Sequence, residues 1–150
     1  ITSISNMSLL EILDCSYNKI TSITNIPKVK ILYCNNNQLK NLPSISLVEE
    51  LTCSENEITS LPNIPFVKYL NCSSNKLIDL PYSPLLKYLD CQNNNIKKIP
   101  EIPQVEYLNC KNNNIKTIPY MPLLNILYCS NNEISNFSNR YNIITDLRDR

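Results

Sequence analysis

A cysteine recurs every nineteen residues along this chain, at Cys15, Cys34, Cys53, Cys72, Cys91, Cys110 and Cys129. An asparagine follows each one three places later, at Asn18, Asn37, Asn56, Asn75, Asn94, Asn113 and Asn132. A short period kept without slippage over seven copies specifies a stack of like units, a solenoid in which each unit buries its apolar face against its neighbours. This regularity decides the architecture before any residue preference is consulted.

The copy running from Val48 to Pro65 shows how the period is used. Leu51 and Cys53 fall on one face and Glu50 and Thr52 on the other, the alternation of a short half-buried strand within 48–53. Asn56 marks a turn, and Ile58 and Leu61 point back inward. Pro62 and Pro65 then impose an extended, polyproline-like return. Two prolines in so short a unit leave no room for a helix. The pair recurs as Pro81/Pro84, Pro100/Pro103 and Pro119/Pro122, with partial versions at Pro27 and Pro43.

The pattern L-x-x-L-x-C-x-x-N-x-I/L-x-x-L-P-x-I-P resembles the leucine-rich repeat family, and it does so from about Ile1 to Ile134. Leu13, Leu32, Leu51, Leu70, Leu89, Leu108 and Leu127 stand at the family's central leucine position. The Pro-x-x-Pro variant is similar to repeats of bacterial host-targeting effectors, and also to Asn-rich, Cys-bearing repeats of giant DNA viruses. The resemblance implies a curved, right-handed α/β-type solenoid of seven to eight strands. A parallel β-sheet would line its concave face, the convex side would be thin and irregular with little or no helix, and the role would be to bind other proteins.

The whole of 1–150 reads as a single domain: a truncated copy over 1–9, seven repeat strands and turns over 10–134, and a degenerate copy or cap over 135–150. Ile1 and Ile4 match Ile20 and Ile23 of the next copy, so the chain starts inside a repeat, as a piece of a longer solenoid would. Beyond Asn132 the pattern decays. Ile134 and Phe137 keep inward positions, while Arg140-Tyr141 replaces the Ile-Pro pair. Ile144-x-x-Leu147 predicts an eighth strand if one residue is inserted, and Asp146, Arg148, Asp149 and Arg150 would give a polar terminal face.

The residues four places before each cysteine read Glu11, Lys30, Glu49, Lys68, Lys87, Glu106 and Asn125. Stacking in register makes them cross-strand neighbours, and among the charged contacts signs then alternate except between Lys68 and Lys87. Net charge is +1 with no basic block to follow a phosphate backbone, so nucleic acid is not an expected partner. No apolar stretch approaches a membrane span.

Seven spaced cysteines invite disulfides, a metal or a nucleophile. In-register parallel strands hold neighbouring Cα atoms about 4.8 Å apart, but parallel Cβ vectors do not converge to the ~3.8 Å that a bridge prefers. No histidine and no C-x-x-C pair accompanies the thiols, so neither a metal nor any other cofactor is expected. Every cysteine takes a position that the resemblance assigns to a buried aliphatic side chain, where it acts as a small hydrophobe. Such a ladder suits a reducing, cytoplasmic compartment, the host's own if the protein is viral or an effector. The asparagines are read as structural, their amides satisfying backbone groups of the turn that leaves each strand. Without histidine or glycine, neither an acid–base pair nor a phosphate loop is in view, and the chain is expected not to be an enzyme.

Strand residues pointing away from the core form the candidate binding face. Glu50, Tyr69, Tyr88, Tyr107 and Ile126 belong to one row, Tyr33, Asp90 and Tyr128 to a second, and Gln92 and Lys111 to a third. Tyr69, Tyr88 and Tyr107 would make an exposed aromatic stripe, a composition frequent at binding hot spots and also one that stabilises a sheet by itself. The function expected is protein recognition on the concave sheet, of a host-directed viral or bacterial kind. The alternative is a self-assembling repeat protein that associates through uncapped repeat ends or its convex face.

Overall fold

The computed structural model describes residues 1–135 and the backbone of 144–146. Among the described residues ten three-residue strands follow one another: β1 (Ser3–Ser5), β2 (Ile12–Asp14), β3 (Ser22–Thr24), β4 (Ile31–Tyr33), β5 (Glu50–Thr52), β6 (Tyr69–Asn71), β7 (Tyr88–Asp90), β8 (Tyr107–Asn109), β9 (Ile126–Tyr128) and β10 (Ile144–Asp146). Eight of them form one parallel sheet in the order β10-β9-β8-β7-β6-β5-β4-β2. From β2 to β9 the register pairs each residue with the one nineteen places on, Leu51 with Leu70 and Tyr69 with Tyr88. The solenoid is therefore present, without helix among the described residues.

Each strand is shorter than the alternating stretch that announces it, Glu50–Thr52 within 48–53. Pairing nevertheless continues past the strand, because Cys53 N donates to Asn71 O at 2.8 Å and Glu55 N to Ser73 O at 3.1 Å. The residue two places after every cysteine is left-handed, from Tyr17 (φ 57°) through Glu55 (φ 55°) to Asn131 (φ 55°). Glycine would ordinarily fill such a position, but the chain has none, and Asn36, Asn93, Asn112 and Asn131 are the next least strained choice. The asparagine that follows then closes the turn. Asn75 Nδ2 donates to the carbonyls of Cys53 (2.9 Å), Cys72 (3.2 Å) and Ser73 (3.1 Å), and its Oδ1 accepts from Ile58 N at 2.9 Å. One amide thus satisfies two successive coils.

The second proline of each pair enters a tight turn before the next strand, where Val67 N donates to Ile64 O at 3.3 Å around Pro65-Phe66. The first proline explains a second sheet that the repeat pattern does not announce. Here β1 and β3 pair in parallel on the return side, with Ile4 opposite Ile23. The positions matching Ser5 and Thr24 in later coils are Pro43, Pro62, Pro81, Pro100 and Pro119. Proline has no N–H to give to a ladder, so the return strand pairs only where it is absent.

The core is a continuous column in which Leu32, Leu51, Leu89, Leu108 and Leu127 are fully buried beside Ile20, Ile58, Ile96 and Ile115. All seven cysteines are buried within it. The eighth strand exists, but its register corrects the expected insertion. Ile144 pairs with Ile126 and Thr145 with Leu127, a coil one residue shorter rather than longer. Phe137, the Arg140-Tyr141 replacement, Leu147 and the polar ending Arg148 to Arg150 lie outside the described residues, as do the side chains of Ile144 and Asp146.

Candidate binding face

The three-residue strands put their middle leucine inward and their first and third residues outward, so the outer sheet surface carries side chains that the core does not use. The Tyr69 and Tyr88 rings stack with centroids 4.2 Å apart and planes 6° apart, and Tyr88 and Tyr107 repeat this at 4.3 Å and 6°. Strand spacing imposes the stack. The expected exposed stripe is accordingly a half-buried one, since each ring covers its neighbour's face and offers solvent its edge and hydroxyl. Burial, followed by hydrogen bonding with Tyr69, pushes the Tyr88 phenol well above the usual tyrosine range, and burial raises Tyr107. These hydroxyls stay protonated as donors.

At the C-terminal end of the stack, Tyr128 meets Tyr107 edge-on at 5.9 Å and 62°, and Lys111 Nζ lies 4.9 Å from the Tyr128 ring centre. Ile126 continues the first row and is 39% exposed. At the other end, Tyr33 donates its hydroxyl to Glu50 Oε1 at 2.8 Å, a bond that raises its pKa. Asp90 differs from the display expected of it, being only 7% exposed. Its Oδ2 accepts from Asn109 Nδ2 at 3.1 Å and Gln92 Nε2 at 3.4 Å, while its Oδ1 accepts from Gln92 N at 3.2 Å. Burial raises its carboxyl, and the bonds from Gln92 and Asn109 act the other way. Asp90 and Gln92 thus brace each other, with Gln92 half-buried.

The structure brings together Tyr69, Tyr88, Tyr107, Ile126, Tyr128 and Lys111 as one surface, and Tyr33 with Glu50 as a separate pair across β4 and β5. The charged row runs beside them. Lys30 bridges Glu11 at 3.1 Å, Lys68 bridges Glu49 at 2.7 Å, and Lys87 bridges Glu106 at 3.5 Å. Next to that row lies a feature that the repeat pattern alone did not single out: Leu47, Phe66 and Leu85 project from the tight turns, 43%, 49% and 42% exposed. With Lys30, Glu49 and Lys68 they line a groove of about 200 Å³. Its signal in the sequence was an apolar residue six places before the cysteine in Leu9, Leu47, Phe66, Leu85 and Leu123, in a turn where burial is not required.

The thiols are poor candidates for chemistry. Burial pushes Cys34, Cys53, Cys72, Cys91 and Cys110 far above the usual thiol range, and raises Cys15 to about 11. A protonated, enclosed thiol is neither a nucleophile nor a metal ligand.

A family model for leucine-rich repeats, built on two copies, matches residues 84–123. Among solved structures the chain is similar to YopM from Yersinia enterocolitica WA-314, with a TM-score of 0.88 and 29% identity over 96% of this chain. The fold is that of a leucine-rich-repeat solenoid. The match spans 34% of the YopM chain, about a third of its length. No curated protein sequence matches. The leucine-rich repeats here are of the short kind, with no helix on their return side among the described residues.

Proposed function

We propose that this leucine-rich repeat chain is a non-enzymatic recognition module that binds a protein partner on the outward face of its sheet, in a host-directed setting. The observation that carries the reading is the Tyr69–Tyr88–Tyr107 stack continued by Tyr128 and Lys111. These side chains are large and ordered by one another, and the core does not require them. A preformed surface of this kind loses little entropy on docking, and tyrosine contributes contact area together with a hydroxyl. The likeness to YopM supports the host-directed setting by analogy alone.

The test is a pull-down from host lysate comparing the unchanged chain with Tyr69→Ser/Tyr88→Ser/Tyr107→Ser. A protein retained by the unchanged chain and lost with the variant, whose circular dichroism stays native, is the expected result. Equal recovery would remove the face from the function. Self-assembly is the second reading, and it draws on Leu9 and Ile12, 77% and 59% exposed beside the β2 edge. It predicts a scattering mass that rises with concentration and falls once that edge carries charge.

A further inference from the structure

The charged row is broken at one place. Lys68 and Lys87 are neighbours in register, Lys87 N donating to Lys68 O at 2.9 Å, yet both are cations. Each lysine pairs away from the other: Lys68 with Glu49 at 2.7 Å on one side, and Lys87 with Glu106 at 3.5 Å on the other. Between the two ammonium groups the row supplies no carboxylate, whereas Lys30 and Lys68 flank Glu49. Both lysine side chains are more than half exposed. The turn residues beside them are Phe66 and Leu85, two walls of the 200 Å³ groove. On the opposite side stand the rings of Tyr69 and Tyr88.

We infer that the Lys68/Lys87 junction and the adjoining Leu47/Phe66/Leu85 groove together receive an acidic peptide segment of a partner protein. A carboxylate of the segment sits between the two ammonium groups, and a neighbouring apolar side chain enters the groove. The missing anion of the row supplies the charge argument, and the exposed turn side chains supply the apolar one. A free inorganic anion would leave the apolar walls unused, and a basic segment would meet like charge at the junction. The inference rests on the protein-recognition reading, to which it adds the chemistry of the partner and a second contact beside the tyrosines.

The probe is an acetylated and amidated peptide, Leu-Glu-Phe-Asp-Leu, titrated into the ¹⁵N-labelled chain and followed by amide shifts. Its Gln/Asn analogue serves as the uncharged control. Saturable shifts centred on residues 66–68 and 85–87 are expected. Both the analogue and Lys68→Gln/Lys87→Gln should weaken binding roughly three- to tenfold, as the loss of two exposed ion pairs would. Raising the salt should weaken the acidic peptide and leave the analogue unchanged. Equal binding of the analogue, shifts confined to the tyrosine stripe, or no shift would overturn the inference. So would shifts at residues 66–68 on raising the concentration of the chain alone, since a second copy would then hold the surface. The tyrosine triple variant separates the two readings. Peptide binding kept with the partner also kept would sink the concave-face reading only, and partner lost with no peptide binding to the unchanged chain would sink this one only.

Discussion

Asn18 and Asn75 hold the same position in a coil at the margin of the stack and in a coil at its middle. Asn18 Nδ2 reaches only its own turn, Cys15 O at 3.1 Å and Ser16 O at 3.0 Å. Asn75 makes the same two bonds, adds one to Cys53 O of the preceding coil at 2.9 Å, and accepts from Ile58 N at 2.9 Å. The cysteines repeat the contrast: Cys15 is 6% exposed and Cys53 not at all. A coil of this solenoid carries little stabilisation of its own, and most of what holds a residue in place comes from the coil on either side. The same substitution should therefore have very different consequences at the two places.

The largest expected effect comes from alkali. In the folded chain, burial keeps the Cys34, Cys53, Cys72, Cys91 and Cys110 thiols protonated far above the pH of about 8.5 at which unfolded cysteines ionise. The folded state then holds more protons than the unfolded one. Stability is full below that pH and falls as pH rises through the window up to the raised values. Five thiols losing protons together on unfolding make that fall steep, so the chain should unfold in alkali above about pH 9. Circular dichroism against pH should show a steep, reversible loss. A native spectrum retained at pH 11 would mean that the thiols ionise without unfolding. At lower pH the marginal thiol should be alkylated first, so mass mapping after brief iodoacetamide treatment should find Cys15 ahead of Cys53 and Cys72.

Next comes the asparagine pair itself. Asn75→Ala strands the Ile58 N–H and deprives three carbonyls of a donor, and it should cost about 2–4 kcal/mol. Asn18→Ala should cost less than about 1 kcal/mol, because only its own partly exposed turn loses donors. Urea melts of both variants measure the difference. Equal costs would mean that the amide serves its own turn and not the interface between coils.

The ladders were legible in the sequence because a nineteen-residue period makes every residue its own neighbour's neighbour: knowing that Tyr69 is followed by Tyr88 and Tyr107 already places three rings in a row. The period does not say how those rings turn, and stacking at 4.2 Å converts an exposed stripe into one of edges and hydroxyls. Asp90 was legible as outward and not as covered, since its burial depends on Gln92 and Asn109 folding over it. The β1–β3 pair was written as an absence, the missing prolines at Ser5 and Thr24, and absences are harder to read than repeats. The last coil escapes because its repeat has lost both the prolines and the length that set the register.

The smallest expected effect concerns the left-handed turn residue, which marginal and middle coils share. Asn93, Asn112 and Asn131 occupy it at φ near 55°, whereas the same position holds Tyr17 (φ 57°), Glu55 (φ 55°) and Ser74 (φ 53°). A left-handed backbone costs ordinary L-residues about 1 kcal/mol more than it costs asparagine or glycine. Glu55 is exposed, and its N–H bond to Ser73 O involves backbone alone, so exchanging its side chain disturbs little else. Glu55→Asn should stabilise the chain by about 0.5–1 kcal/mol, a rise of roughly 1–4 °C in melting temperature. Tyr17→Asn should give less, because a coil at the margin can fray at its turn and relieve the strain without unfolding its neighbours. Equal gains would show that the first coil is held as firmly as the middle, and that the contrast between Asn18 and Asn75 is one of hydrogen-bond count and not of local stability.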